Sequence, residues 1–105
     1  MEMFNPPHPG EVIKELYMKP MKLSATALAE RIGVERKAIS RLVNGHVGIT
    51  AEMAIKLSKA FNMSAEVWLR EQAAYDLWHA KQRMKKEIAK IKPYNFRDYE
   101  DRPHT

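Results

Sequence analysis

The sequence predicts an all-α protein with a single domain. Apolar residues recur at spacings of three and four over residues 10–91, and no run alternates apolar and polar residues as a strand would. The chain has 105 residues, a length at which one core is usual. We expect five helices, at about 10–18, 24–32, 35–43, 50–61 and 64–91. Residues 1–92 would form the domain and residues 93–105 a polar, mobile tail.

The first helix follows a turn-like, proline-rich start. Its apolar face is expected to contain Val12, Ile13, Leu16 and Tyr17, which recur at helical spacing. Pro20 is expected to stop this helix, because a proline restricts the residue before it and donates no hydrogen bond.

The other helices carry boundary signals of their own. Ser24 and Thr50 are good N-caps, since a side-chain oxygen can accept an orphan backbone N–H. The fifth helix is expected to start after Ser64. The pair Asn44-Gly45 supplies a left-handed stop after the third helix.

A very short connection joins the second and third helices. Only Gly33, Val34 and the boundary residue Glu35 connect them, which forces a steep crossing of the helix-turn-helix type. Ala29 provides the small residue where the helices approach, and Gly33 tolerates a positive φ in the turn. Ile39 and Leu42 then form the buried face of the third helix. These residue types at these offsets predict a helix-turn-helix.

The outer face of the third helix is basic. A helix fits the major groove of B-DNA, where arginine can contact guanine through two hydrogen bonds. We therefore expect base reading by Arg36, Lys37 and Arg41, assisted by Ser40. Residues 22–45 carry five cations and two acids, a net +3 that suits phosphate neutralisation. The expected contacts to the DNA backbone are Ser24, Lys22, Asn44 and Thr50.

The fifth helix carries a short heptad-like seam. Its members are Ala74, Leu77, Lys81, Met84, Ile88 and Ile91, spaced three and four apart with one polar defect. Two readings are open. The stripe is a homodimerisation surface, formed by Leu77, Met84, Ile88 and Ile91, or it folds back on the helical core.

Other classes of protein have little support in the sequence. The chain has no cysteine, which excludes disulfide scaffolds and thiolate metal sites. The four histidines are scattered without a ligand partner four residues away, so we expect no metal and no cofactor. No catalytic arrangement stands out, so we expect no enzyme. No apolar run approaches the length of a membrane span, and no signal peptide is evident, so we expect a cytoplasmic protein.

Several motifs together resemble a known family. They are Asn5-Pro-Pro-His-Pro-Gly-Glu, Leu-Ala-Glu-Arg-Ile-Gly-Val, Ile-Ser-Arg-Leu-Val-Asn-Gly, Ile-Thr-Ala-Glu-Met-Ala, Trp68-Leu69 and Gln72-Ala-Ala-Tyr-Asp-Leu77. Over residues 5–80 the chain resembles HigA-type antitoxins of the lambda-repressor-like (XRE) helix-turn-helix class. The resemblance implies a five-helix domain that dimerises through its C-terminal helix, binds a palindromic operator and represses its own operon.

The resemblance also implies a partner toxin, a ribosome-associated mRNA endonuclease that the antitoxin inhibits by forming a complex. Two alternatives stay open: a solitary repressor without a toxin, and a protein-interaction module that does not bind DNA. Residues 1–15 and the tail are equal candidates for the toxin-binding surface.

Overall fold

The computed structural model describes residues 5–95 and 97, and within these residues the secondary structure is helical. The all-α prediction is therefore confirmed. The elements in chain order are α1 (Pro9–Val12), a π-helical stretch (Ile13–Met18), α2 (Lys19–Met21), α3 (Ala25–Ile32), α4 (Arg36–Val43), α5 (Ala51–Phe61), α6 (Ala65–Arg83) and α7 (Lys85–Lys90). Most of the expected tail lies outside the described residues.

The first helix differs from its prediction. It runs on through Pro20 to Met21, because Pro20 lies in the first turn of α2, directly after the π-helical stretch, where its missing N–H is tolerated. The Lys19 N–H donates to the Lys14 carbonyl five positions before it, as in a π-helix, and Ile13 and Met18, five positions apart, are both buried. Leu16 was expected on the buried face and is 66% exposed, since the wider turn rotates it out to solvent.

The predicted helix-turn-helix is confirmed in detail. The Ser24 hydroxyl oxygen accepts the Ala27 N–H at 3.0 Å and begins α3. Gly33 ends α3 with φ of 74°, and the N–H groups of Gly33 and Val34 both donate to the Ala29 carbonyl. Both bonds reach the Ala29 carbonyl in the last turn of α3, and the left-handed Gly33 turns the chain toward α4.

The core lies where α1, the π-helical stretch and α3–α6 meet. Its fully buried members come from every one of these helices, and Trp68 of α6 is the largest of them. The Tyr17 ring lies 4.6 Å from the Phe61 ring and 5.7 Å from the Trp68 ring, and its hydroxyl donates to the Met63 sulfur. Aromatic packing therefore attaches the first helix to the start of α6.

The C-terminal helix is broken at one residue. Met84 has φ of −101° and ψ of 11°, so α6 ends at Arg83 and α7 begins at Lys85. The expectation of one helix over 64–91 is wrong at this point. The Met84 N–H still donates to Ala80 and its carbonyl still accepts from Ile88, so the direction of the chain is broadly kept. The distal part of α6 and α7 extend from the core, and the long dimension of the molecule is 61 Å.

Candidate nucleic-acid interface

Helix α4 is strongly amphipathic. Ile39 and Leu42 are 0% and 1% exposed and anchor the helix in the core. Arg36, Lys37 and Arg41 are exposed on the other side, and Ser40 is half-buried between them. The structure thus places the four residues that were expected to read bases along the accessible face of one short helix.

The cations of α4 have no acidic partner in the part of the chain that the structure describes. There, an ion pair joins Lys19 and Glu15 at 2.8 Å, on the first helix. Glu35 stands at the N-cap position of α4 but makes no capping bond with its side chain. The positive charge of this face is therefore available to an external anion.

The N-termini of α3 and α5 carry hydroxyl caps. The Ser24 oxygen accepts from Ala27 at 3.0 Å, and the Thr50 oxygen accepts from Met53 at 3.2 Å. Each hydroxyl keeps its own hydrogen for a further acceptor, and each helix start adds a positive dipole end. Both residues are exposed. This arrangement can bind phosphate oxygens.

Lys22 lies at a chain reversal two residues before Ser24, and Asn44 lies at the reversal that follows α4. Lys22 ends α2 in a left-handed conformation with φ of 53°, and Asn44 follows α4 with its N–H bonded to the Ser40 carbonyl. Both side chains are exposed. Gly45, with φ of 76°, provides the left-handed stop that the sequence predicts.

Two residues that the sequence analysis did not assign to the site hold the loop between α4 and α5. The Gln72 side-chain oxygen of α6 accepts the Ile49 N–H at 2.8 Å. His8 accepts the Gly10 N–H at 2.9 Å through Nδ1, and its ring lies near the backbone carbonyl of Val47. Both residues belong to the quoted motifs, but no local pattern shows that they meet this loop.

The surroundings of His8 shift its protonation equilibrium toward the neutral ring. Burial lowers the pKa of His8, although the Val47 carbonyl and the carboxylates of Asp76 and Glu11 oppose that shift. The ring packs edge-on against Tyr75 with centroids 4.9 Å apart. A neutral ring is the form whose Nδ1 can accept a hydrogen bond, as it does here.

The expected dimerisation residues form an exposed stripe on α6 and α7. Leu77, Met84, Ile88 and Ile91 are 56%, 38%, 45% and 67% exposed. The reading in which this stripe folds back on the core is therefore wrong. An apolar stripe left open to solvent on an extended helix is typical of an interaction surface.

Other kinds of site lack a structural basis in the described residues. Residues 5–95 and 97 contain no group of three or more His, Asp or Glu side chains arranged to hold a metal ion. Over the same residues, no helix combines the length and apolar character of a membrane span.

Known proteins share this fold and sequence. The profile of the helix-turn-helix family matches residues 13–68. Virulence-associated protein A of Dichelobacter nodosus is 47% identical over 77 residues, which cover 72% of this chain and 76% of that protein. Antitoxin HigA-1 of Vibrio cholerae is 43% identical over 84 residues, covering 80% of this chain and 79% of that protein.

A solved structure extends the likeness to three dimensions. It is the Pseudomonas aeruginosa antitoxin HigA with the higBA promoter, with a TM-score of 0.82 and 33% identity. The match covers 86% of this chain and 99% of that one. The resemblance predicted from the motifs is thereby confirmed: the chain belongs to the helix-turn-helix family, in the group of HigA-type antitoxins.

Proposed function

We propose that the protein is a dimeric, sequence-specific DNA-binding repressor that acts as the antitoxin of a type II toxin–antitoxin pair. The observation that carries the proposal is the exposed face of Arg36, Lys37 and Arg41, which have no ion-pair partner among residues 5–95 and 97, on a helix fixed by a tight turn. The similar antitoxin HigA that was solved with its promoter supports the DNA-binding part.

Helix α4 is the recognition helix in this proposal. Arg36 and Arg41 would each contact guanine O6 and N7, and Lys37 would reach the same acceptors or a phosphate. Ser40 is short and half-buried, so it would contact a base edge only where the helix lies closest to the groove. These contacts carry sequence specificity.

Contacts to the DNA backbone hold that helix in register. Ser24 and Thr50 would donate their free hydroxyl hydrogens to phosphates at the starts of α3 and α5. Lys22 and Asn44 would add further phosphate contacts. Such contacts supply affinity that does not depend on sequence and that falls steeply with salt.

Dimerisation through the stripe of Leu77, Met84, Ile88 and Ile91 would present two recognition helices to one duplex. Successive major grooves on one side of B-DNA lie about 34 Å apart, so the operator should be a palindrome with half-sites at that spacing. Dimerisation therefore raises both affinity and the length of sequence that is read.

The antitoxin part of the proposal rests on family membership. A protein named antitoxin HigA-1 matches most of this chain, and the family implies a toxin that is a ribosome-dependent mRNA endonuclease. The chain would neutralise that toxin by binding it and would have no enzymatic activity of its own. Both activities take place in the cytoplasm.

A footprint on the promoter of the protein's own operon tests the proposal. We expect a protected palindrome whose occupancy falls as salt rises, and a changed footprint when the product of the neighbouring gene is added. Protection without any effect of the neighbour would indicate a solitary repressor. Absence of salt-dependent protection would contradict DNA binding and favour a protein-interaction module.

A further inference from the structure

The loop between α4 and α5, residues 44–50, connects the recognition helix to the Thr50 cap. Its first half is tied to α4 by the chain itself: the N–H groups of Asn44, Gly45 and His46 donate to carbonyls of that helix. Its second half is irregular, and its conformation depends on side chains from elsewhere in the fold.

Gln72 of α6 is one of these side chains. Its oxygen accepts the Ile49 N–H at 2.8 Å, directly before Thr50. Its amide nitrogen donates to Asp76 one turn further along α6 at 3.0 Å, which fixes the orientation of the carboxamide. Gly48 packs on the same group so closely that a Cβ there would lie 3.0 Å from it.

His8 holds the preceding part of the loop. Its ring lies near the Val47 carbonyl and about 3.9 Å from the position that a Cβ on Gly45 would take. Tyr75 of α6 packs edge-on against the opposite region of the ring. The loop is therefore held from two sides, and α6 contributes to both.

We propose that Gln72, aided by His8, is a positioning residue for DNA binding that sets the α4–α5 loop so that Thr50 and the start of α5 meet a phosphate. The inference deepens the proposed function and rests on it. The helix that carries Gln72 also carries Leu77, so α6 joins the α4–α5 loop to the apolar stripe.

Gln72→Ala tests the proposal, with Gln82→Ala as the control. Gln82 is an exposed glutamine on the same helix. We expect Gln72→Ala to weaken binding about tenfold on operator and random DNA alike, because a backbone contact carries no sequence information. The slope of log affinity against log salt should stay close to that of the wild type, because the lost contact is made by a hydroxyl and a helix N-terminus and not by a cation. Gln82→Ala should bind like the wild type.

A second variant disturbs the bond between Gln72 and Ile49 without removing the glutamine. Gly48 does not have a positive φ, so Gly48→Ala is compatible with the backbone and its methyl would push the flexible carboxamide aside. We expect it to weaken binding like Gln72→Ala and to add no further loss in the double variant. The proposal also requires that Gln72→Ala lose its effect when Thr50→Ala is already present.

The outcomes separate the two proposals. Circular dichroism and the solution mass confirm that each variant is folded and dimeric before binding is measured. If the wild type binds with steep salt dependence while Gln72→Ala and Gly48→Ala match its affinity, the positioning role is overturned and the repressor function stands. If the wild type itself shows no salt-dependent binding, the repressor function fails.

Discussion

The backbone of Gly10 lies directly against the backbone carbonyl of Leu42, where the first helix crosses the recognition helix. A Cβ at position 10 would lie 1.9 Å from the Leu42 oxygen and 2.7 Å from its carbonyl carbon. A backbone group cannot rotate away as a side chain can. Glycine is therefore required at this crossing, which holds the start of the first helix against the end of α4.

Gly10→Ala should lower the free energy of unfolding by about 3 kcal/mol, because the two helices must separate to admit the methyl group. Urea denaturation followed by circular dichroism measures the loss. Gly33→Ala is the matched control: its φ of 74° strains an alanine, but no atom lies within 4 Å of the new methyl group. That control should lose only about 1 kcal/mol. A loss at Gly10 no larger than at Gly33 would contradict the close approach.

Arg41→Ala should weaken operator binding by about 1–3 kcal/mol and relax specificity at one base pair of each half-site. The residue is exposed on the outer face of α4, where a guanine edge can be reached. Fluorescence anisotropy with operator and random duplexes measures both effects. Ser24→Ala is the comparison, since a lost phosphate contact should weaken binding to both duplexes alike. Equal loss on operator and random DNA for Arg41→Ala would show that Arg41 does not read a base.

Leu77→Glu should convert the dimer to a monomer at low micromolar concentration. Leu77 is 56% exposed in the single chain, so a charge there is tolerated by the fold, whereas burial of that charge in an apolar interface costs about 3 kcal/mol or more. Light scattering coupled to size exclusion measures the mass. Gln82→Glu adds the same charge to the same helix away from the seam and should leave the mass unchanged. An unchanged mass for Leu77→Glu would remove the stripe from the dimer interface.

His8 should make stability depend on pH. Burial lowers the pKa of His8 below its ordinary value of 6.5, so the folded state favours the neutral ring. The stability from this shift is fully present above pH 6.5 and is lost as the pH falls through the lowered pKa of the folded state. Denaturation between pH 8 and 5 should show the wild type losing stability relative to His8→Asn, which can still cap Gly10 but does not titrate.

His46→Asn is the control for this pH dependence, because His46 is an exposed histidine in the α4–α5 loop. This variant should keep the pH dependence of the wild type. If wild type and His8→Asn change in parallel over the whole range, the His8 ring does not carry the effect.

Local signals in the sequence predicted much of the site. Ser24, Thr50 and Ser64 cap their helices as expected, because an N-cap bond joins residues two or three positions apart. The turn at Gly33 and the outward Arg36 follow equally from short-range spacing. Whether these side chains contact DNA stays a prediction that the variants above can test.

The first helix shows where local signals fail. The π-helical stretch that buries Met18 and exposes Leu16 changes the period of the helix, and a pattern read at a period of 3.6 cannot detect that change. The rule that a proline ends a helix predicted too early an end for the first helix, which continues through Pro20 to Met21. The break at Met84 likewise has no proline or glycine to mark it.

The sequence by itself determined the helical class, most helix caps and the basic outer face of α4, because each depends on residues within about one turn of one another. Only the tertiary structure decided that Gln72 and His8 hold the α4–α5 loop and that Gly10 meets Leu42. Those contacts join residues more than twenty positions apart. Such pairs come together only when the whole core packs, and no local spacing records which partner each will find.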